Sequence, residues 1–177
     1  MKLNKMTLFS YSKIGFIVSI GSFFIGIVIG VITGDPIHQI APLKNSISFI
    51  DIVLNNLKVG FSILTIGAIT GGAYSFLILG VNGYIIGKLI EYLNANGNTT
   101  QLLSGLLPHF FVELLGLVLF STISTIPIFI IYYLIKFPIQ SFPYKRIIKF
   151  IFIMFCIAML FILIAGYIEA TISNVTI

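Results

Sequence analysis

The chain has 177 residues, 58% of them hydrophobic and only 8% charged, with a net charge of +5 and a single cysteine, Cys156. A soluble domain carries about 25% charged residues, and a chain this short has too much surface to cover with so few polar side chains. The composition therefore excludes an ordinary soluble domain. It predicts one all-α domain over residues 1–177, a polytopic transmembrane helix bundle in the cell membrane with lipid as its solvent.

Lys2, Lys5 and Lys13 precede the first apolar run, and Lys145, Arg146 and Lys149 precede the last. Basic clusters that flank apolar runs are topology signals and attract anionic headgroups, so no nucleic-acid partner is expected. They place the N-terminus in the cytoplasm. The start resembles a signal peptide, but its apolar stretch is long and no small-x-small site closes it, so a retained anchor is expected.

A bilayer core of about 30 Å needs roughly 20 apolar residues in helix. Residues 14–33 meet that, and Gly34-Asp35-Pro36 ends the run. His38 falls in the polar loop that follows and reads as solvated. Residues 46–58 are amphipathic, with Ile47, Ile50, Leu54 and Leu57 opposite Ser48, Asp51 and Asn55, and predict an interfacial helix. Ser48 with Asp51 three residues on is a capping pattern. A second span is expected at 59–79. Residues 80–93 carry Asn82, Lys88 and Glu91 and predict a short helix at the membrane surface, followed by the Asn-rich turn 94–98.

Residues 102–137 are apolar for too long to be one ordinary span. The polar run Ser121–Thr125, with Pro127 behind it, is the expected break, because proline suits the first turn of a new helix. Keeping both basic clusters on one side needs an even number of crossings between 94–101 and 145–149. Spans at 103–120 and 122–137 supply them, and a last span covers 147–170. The count is five; the alternative of four has one helix kinked at Pro127.

Small residues recur at four-residue spacing: Gly26, Gly30 and Gly34, then Gly67 with Gly71, and Gly83 with Gly87. Lipid tails are as apolar as leucine, so membrane helices associate through such close-packing faces. The expected use is packing within the monomer; a homodimer through the first span is the alternative.

The polar residues within the apolar runs carry the functional expectation. His109 and Glu113 are four apart, on one helical face at roughly 5–6 Å. Glu169 lies near the end of the last span, and Asn56 and Asn82 bracket the second. A charged carboxylate at a helix centre costs about 2.5–3.5 kcal/mol on insertion scales, so such residues turn away from lipid. This cluster supports three readings: polar glue between helices, contact with a proton or substrate, or a metal site formed by His109, Glu113 and Glu169. No phosphate loop, zinc-spaced cysteine pair or nucleophile elbow is present. No cofactor and no catalytic residue is assigned, and ATP hydrolysis within this chain is excluded.

At these residues the sequence resembles the stage II sporulation protein M family. Asn55-Asn56 opens a Gly-rich stretch (Gly60, Gly67, Gly71, Gly72) leading to Asn82-Gly83 and Gly87. Leu107-Pro108-His109 with Glu113 is similar to the family's Pro-His-Gly-x-x-Glu block, and Ile164-Ala165 through Ile168-Glu169 to its closing Ala-rich turn ending in Glu. The family usually has Gly after the His; Phe110 stands there and is expected to block close backbone approach. The resemblance implies a multispanning protein that works in complexes. Name-giving members anchor peptidoglycan-remodelling enzymes during engulfment, and short relatives lie beside ATP-binding proteins in circular-bacteriocin systems. It therefore implies a scaffold or permease-like subunit, partnered by an ABC-type ATPase or an enzyme, in export, maturation or immunity of a hydrophobic peptide. The alternatives are a metal- or proton-dependent intramembrane peptide-processing enzyme and an anchor for wall-remodelling enzymes.

Overall fold

The structure, a computed structural model, describes residues 6–33, 48–95, 97, 107–137, 139 and 142–173. These form α1 (Met6–Ile32), α2 (Phe49–Ile69), α3 (Ala73–Ala95), α4 (Leu107–Ser124), α5 (Ile126–Lys136) and α6 (Tyr144–Ile168), closed by a π-helical turn, Glu169–Ser173. No strand occurs among the described residues. Five stretches are long and apolar enough to cross a bilayer: Ser10–Ile32, Phe49–Ile69, Ala73–Ala95, Pro108–Lys136 and Tyr144–Thr171.

The expected number of spans stands, but two boundaries move. Residues 46–58 and 59–79 are not an interfacial helix followed by one span. A single helix, α2, starts at the Ser48 N-cap, whose hydroxyl accepts from the Ile50 N–H, and runs to Ile69. The chain then turns through Gly71 (φ +64°) and Gly72 (φ +99°), backbone conformations that side chains with a Cβ rarely adopt. Residues 80–93 are accordingly the second half of α3, not a surface helix. The polar residues that set those expectations are accommodated inside a spanning helix. Asn82 Nδ2 donates to its own-helix Ile78 carbonyl at 2.9 Å, and Lys88 Nζ donates to the Thr33 carbonyl at the end of α1 at 2.8 Å.

The second correction concerns 103–120 and 122–137. A break does fall at Thr125, with Pro127 in the first turn of α5. But α5 continues α4 instead of folding back. Gly116 faces Ile162, Phe120 stacks on Phe155 with centroids 5.7 Å apart, and Tyr133 lies 5.5 Å from Phe142. The whole of α4–α5 thus runs antiparallel to α6 as one kinked span. One crossing gained at Gly71-Gly72 offsets one lost at Thr125. Lys145, Arg146 and Lys149 therefore still share an end with Lys13.

The remaining directions follow from contacts. Gly26 meets Gly80 and Tyr84, and Gly30 meets Tyr84 and Gly87, so α1 and α3 are parallel. Gly15 faces Thr125 and Ser19 bonds Ser121, so α1 is antiparallel to α4. Gly60 meets Phe120 and Gly67 meets Ser124, so α2 is parallel to α4.

The exterior is apolar: Ile69, Ile135 and Ile32 are 85%, 82% and 77% exposed. Every described buried polar residue except Asn56 is a serine or threonine. Apolar outside with hydroxyls inside inverts the usual distribution of a soluble protein and fits a bundle solvated by lipid. The core is centred on Phe23, Ile63, Leu79, Val118, Phe120 and Ile162, with a second cluster around Ile126, Phe129, Tyr133 and Ile147 where α5 meets α6.

Candidate functional site

Two polar layers lie at different depths. The layer nearer the Lys13 end is a hydroxyl network. Ser19 Oγ on α1 donates to the Gly15 carbonyl at 2.7 Å and shares a hydrogen bond with Ser121 Oγ on α4 at 2.8 Å. On the same stretch of α4, Ser124 Oγ lies 2.7 Å from both Ser75 Oγ of α3 and the Ser121 carbonyl, and its one proton goes to one or the other. Ser75 in turn donates to the Ile63 carbonyl of α2 at 2.9 Å. Four helices are linked through hydroxyls that are almost wholly buried. Gly67 makes room, since a Cβ there would collide with Ser75 Oγ and sit 2.8 Å from Ser124 Oγ.

Sequence reasoning took Ser121–Thr125 as a chain break and passed over Ser19 and Ser75. Their signal was available only as small polar residues within apolar runs. Nothing local in the sequence pairs residues 19, 75, 121 and 124.

The second layer is the acidic one, where α2, α4 and α6 meet. Gly166 on α6 packs against Val53 of α2, its virtual Cβ 2.6 Å from Val53 Cγ2. Glu169 lies three residues beyond Gly166, and Asn56 lies three beyond Val53. Glu113 lies two turns before Phe120 on the α4 face that meets Gly60 of α2. Because α2 and α6 run antiparallel, these steps lead apart: Glu113 lies level with Val53, Glu169 lies beyond it toward the start of α2, and Asn56 lies on the other side of it toward the middle of α2. The two carboxylates are close enough to act on one another electrostatically. Asn56 is only 7% exposed, and its buried Nδ2 has no hydrogen-bond partner. Glu169 also opens the π-helical turn, a geometry that is rare and enriched at functional positions.

Of the expected cluster, Glu113 and Glu169 lie near one another, and Asn56 is buried on α2 at another level. His109 is half-buried one turn before Glu113 on α4. Asn82 lies on α3, and its side-chain hydrogen bond stays within that helix. Among the described residues no three His, Cys, Asp or Glu side chains are grouped as a metal ion would require, so His109, Glu113 and Glu169 do not form the expected candidate metal site. Glu91, which sequence reasoning left out of the cluster, also buries one carboxylate oxygen without a hydrogen-bond partner.

The ring of Phe110 is buried and stacks on Phe23 of α1 at 5.4 Å. It fills the α1–α4 interface near His109.

The glycines divide by role. Gly26, Gly30, Gly83 and Gly87 form one seam, in which a Cβ at any of them would collide with backbone of the facing helix. The glycine face of α1 is thus covered by α3, and a homodimer through it would have to displace α3. Gly71 belongs to the α2–α3 turn and not to a helix face. Gly34 and His38 lie outside the described residues.

Comparison with protein families matches residues 19–174 to Stage II sporulation protein M. The match takes in every residue of both polar layers except Gly15. Comparison with curated proteins gives no significant match, and comparison with solved structures gives none.

Proposed function

The chain belongs to the stage II sporulation protein M family, and from that premise we propose that it is a scaffold or permease-like subunit of a membrane complex. Its partner would be an ABC-type ATPase, and its task the export, maturation or immunity of a hydrophobic peptide such as a circular bacteriocin. The observation that supports this reading most is the acidic layer. Glu113 and Glu169 lie near one another where α2, α4 and α6 meet, and a carboxylate among membrane helices is costly unless it serves something. The chain carries no nucleotide-binding motif, so energy for transport would come from the partner.

In this reading the protein sits in the cell membrane with its N-terminus in the cytoplasm. Lys13, Lys136, Lys145, Arg146 and Lys149 would face the cytoplasm, and the acidic layer would lie toward the opposite face.

Extraction from native membranes in a mild detergent tests the proposal. An ATP-hydrolysing subunit should be recovered in stoichiometric amount, and recovery of the chain alone would overturn it. A second reading, carried over from what the resemblance implies, is an anchor for peptidoglycan-remodelling enzymes. The same preparation separates the two, because a wall hydrolase would then replace the ATPase. Glu113→Gln addresses a peptide-processing enzyme: full activity of that variant in cells would exclude it.

A further inference from the structure

We propose that the lysine-rich end of the bundle is a binding surface for the headgroups of anionic phospholipids. This inference does not depend on the scaffold reading. Lys13 on α1, Lys136 at the end of α5, and Lys145, Arg146 and Lys149 at the start of α6 are all exposed. The antiparallel packing of α4–α5 on α1 and on α6 gathers them at one end. The four acids among the described residues, Asp51, Glu91, Glu113 and Glu169, all lie in the opposite half, so no described carboxylate neutralises this end.

The chemistry between the cations decides what kind of partner fits. Exposed Ile131, Ile135 and Ile148 are interleaved with them. Tyrosines stand at the same level: Lys136 Nζ donates to Tyr132 Oη at 2.9 Å, and Lys145 Nζ lies 6.0 Å from the Tyr144 ring centre. At the start of α6, Phe142, Pro143, Tyr144, Lys145 and Arg146 line an open recess of about 430 Å³. Cations, aromatic rings and bare aliphatic side chains together match a bilayer boundary, where phosphates meet the first two and acyl chains cover the third. The isoleucines belong to the lipid-facing exterior, so the cations interleaved with them stand where acyl chains give way to headgroup phosphates. The geometry therefore points to a lipid.

Juxtamembrane cations contribute about 1 kcal/mol each toward anionic lipid, a factor of about five per charge. A headgroup held in the recess by Lys145 and Arg146 would be favoured about 25-fold over a zwitterionic one on that scale. The test places the full chain in nanodiscs of equal phosphatidylglycerol and phosphatidylcholine and counts retained lipids by native mass spectrometry. The unaltered protein should retain phosphatidylglycerol in excess. Joint Lys136→Gln, Lys145→Gln, Arg146→Gln and Lys149→Gln should abolish the excess, whereas Lys58→Gln in α2 should leave it. Equal retention of the two lipids by the unaltered protein overturns the proposal, as does an excess that survives the four substitutions. A salt titration of the unaltered protein covers the case in which the variant fails to fold. The excess should fall between 0.05 and 0.5 M NaCl (about 14 to 4 Å of screening length), and an excess insensitive to salt also overturns it.

Discussion

Adding one methyl group at Gly83 should loosen the pairing of α1 and α3, whereas the same addition at Gly21 should not. At Gly83 the new Cβ would fall on the carbonyl oxygen of Phe23, 2.9 Å from that carbonyl's carbon and 3.1 Å from the Ile27 nitrogen. All three obstacles are backbone, so no rotamer change relieves the clash and α1 as a whole must retreat. Gly26, Gly30 and Gly87 sit in the same seam and would lose their close approach together. Overpacking of this kind costs about 1–3 kcal/mol, and the collective retreat places Gly83→Ala toward the upper end. At Gly21 no atom lies within 4 Å of the added methyl, and alanine is favoured over glycine within a helix by roughly 0.8–1 kcal/mol. Gly21→Ala should therefore be neutral or mildly stabilising. Because the chain has no tryptophan, unfolding is best followed by circular dichroism at 222 nm, titrating dodecyl sulfate into mixed micelles. Equal midpoints for the two variants would refute the reading of the glycine seam.

Removing the Ser75 hydroxyl by Ser75→Ala breaks bonds to Ile63 and Ser124 and should destabilise the bundle by about 0.6–1.7 kcal/mol, the range of interhelical hydrogen bonds in membranes; the same titration measures it. Gly72→Ala combines φ +99° with a Cβ 2.7 Å from Thr125 Cγ2 and should cost about 1–3 kcal/mol, read as a lower dodecyl sulfate midpoint. Glu113→Gln keeps the side-chain shape and removes an ionisable carboxyl from among the helices, so the thermal midpoint in detergent should hold or rise while activity in cells falls; a lowered midpoint would make Glu113 a structural residue.

The legible part of the fold was its chemistry. Composition identified lipid as the solvent, and the glycine spacing of Gly26, Gly30, Gly83 and Gly87 marked a close-packing face, though not that the two pairs face one another. The boundaries failed where hydropathy averages over features that are not apolar. Asp51, Asn55, Asn56 and Lys58 depress the start of α2 below the profile of a span, so that stretch read as interfacial. The helix tolerates them because Asp51, Asn55 and Lys58 are exposed and Asn56 turns inward. The Gly71-Gly72 turn was hidden by the opposite effect, since a glycine pair amid isoleucines looks like a packing motif. Only a positive φ at both distinguishes a turn from a seam.

The candidate site was legible to the same limited degree. Glu113 and Glu169 stand out in sequence because carboxylates are rare in apolar runs, and burial against α2 follows from that rarity. The hydroxyl layer does not stand out, because serine and threonine are common in membrane helices and bond their own carbonyls in most of them. Yet the hydroxyl layer is the better satisfied of the two. Ser19, Ser75, Ser121 and Ser124 all have partners, whereas Asn56 Nδ2 has none. An unsatisfied buried donor costs about 1–3 kcal/mol. The fold thus locks α1, α2, α3 and α4 at one depth with inexpensive hydroxyl pairs. At another depth it carries a buried amide nitrogen, Asn56 Nδ2, that has no hydrogen-bond partner. Replacing Asn56 by Leu separates the two roles: a rise in stability with loss of activity in cells would assign Asn56 to function, and a fall in stability would assign it to the fold.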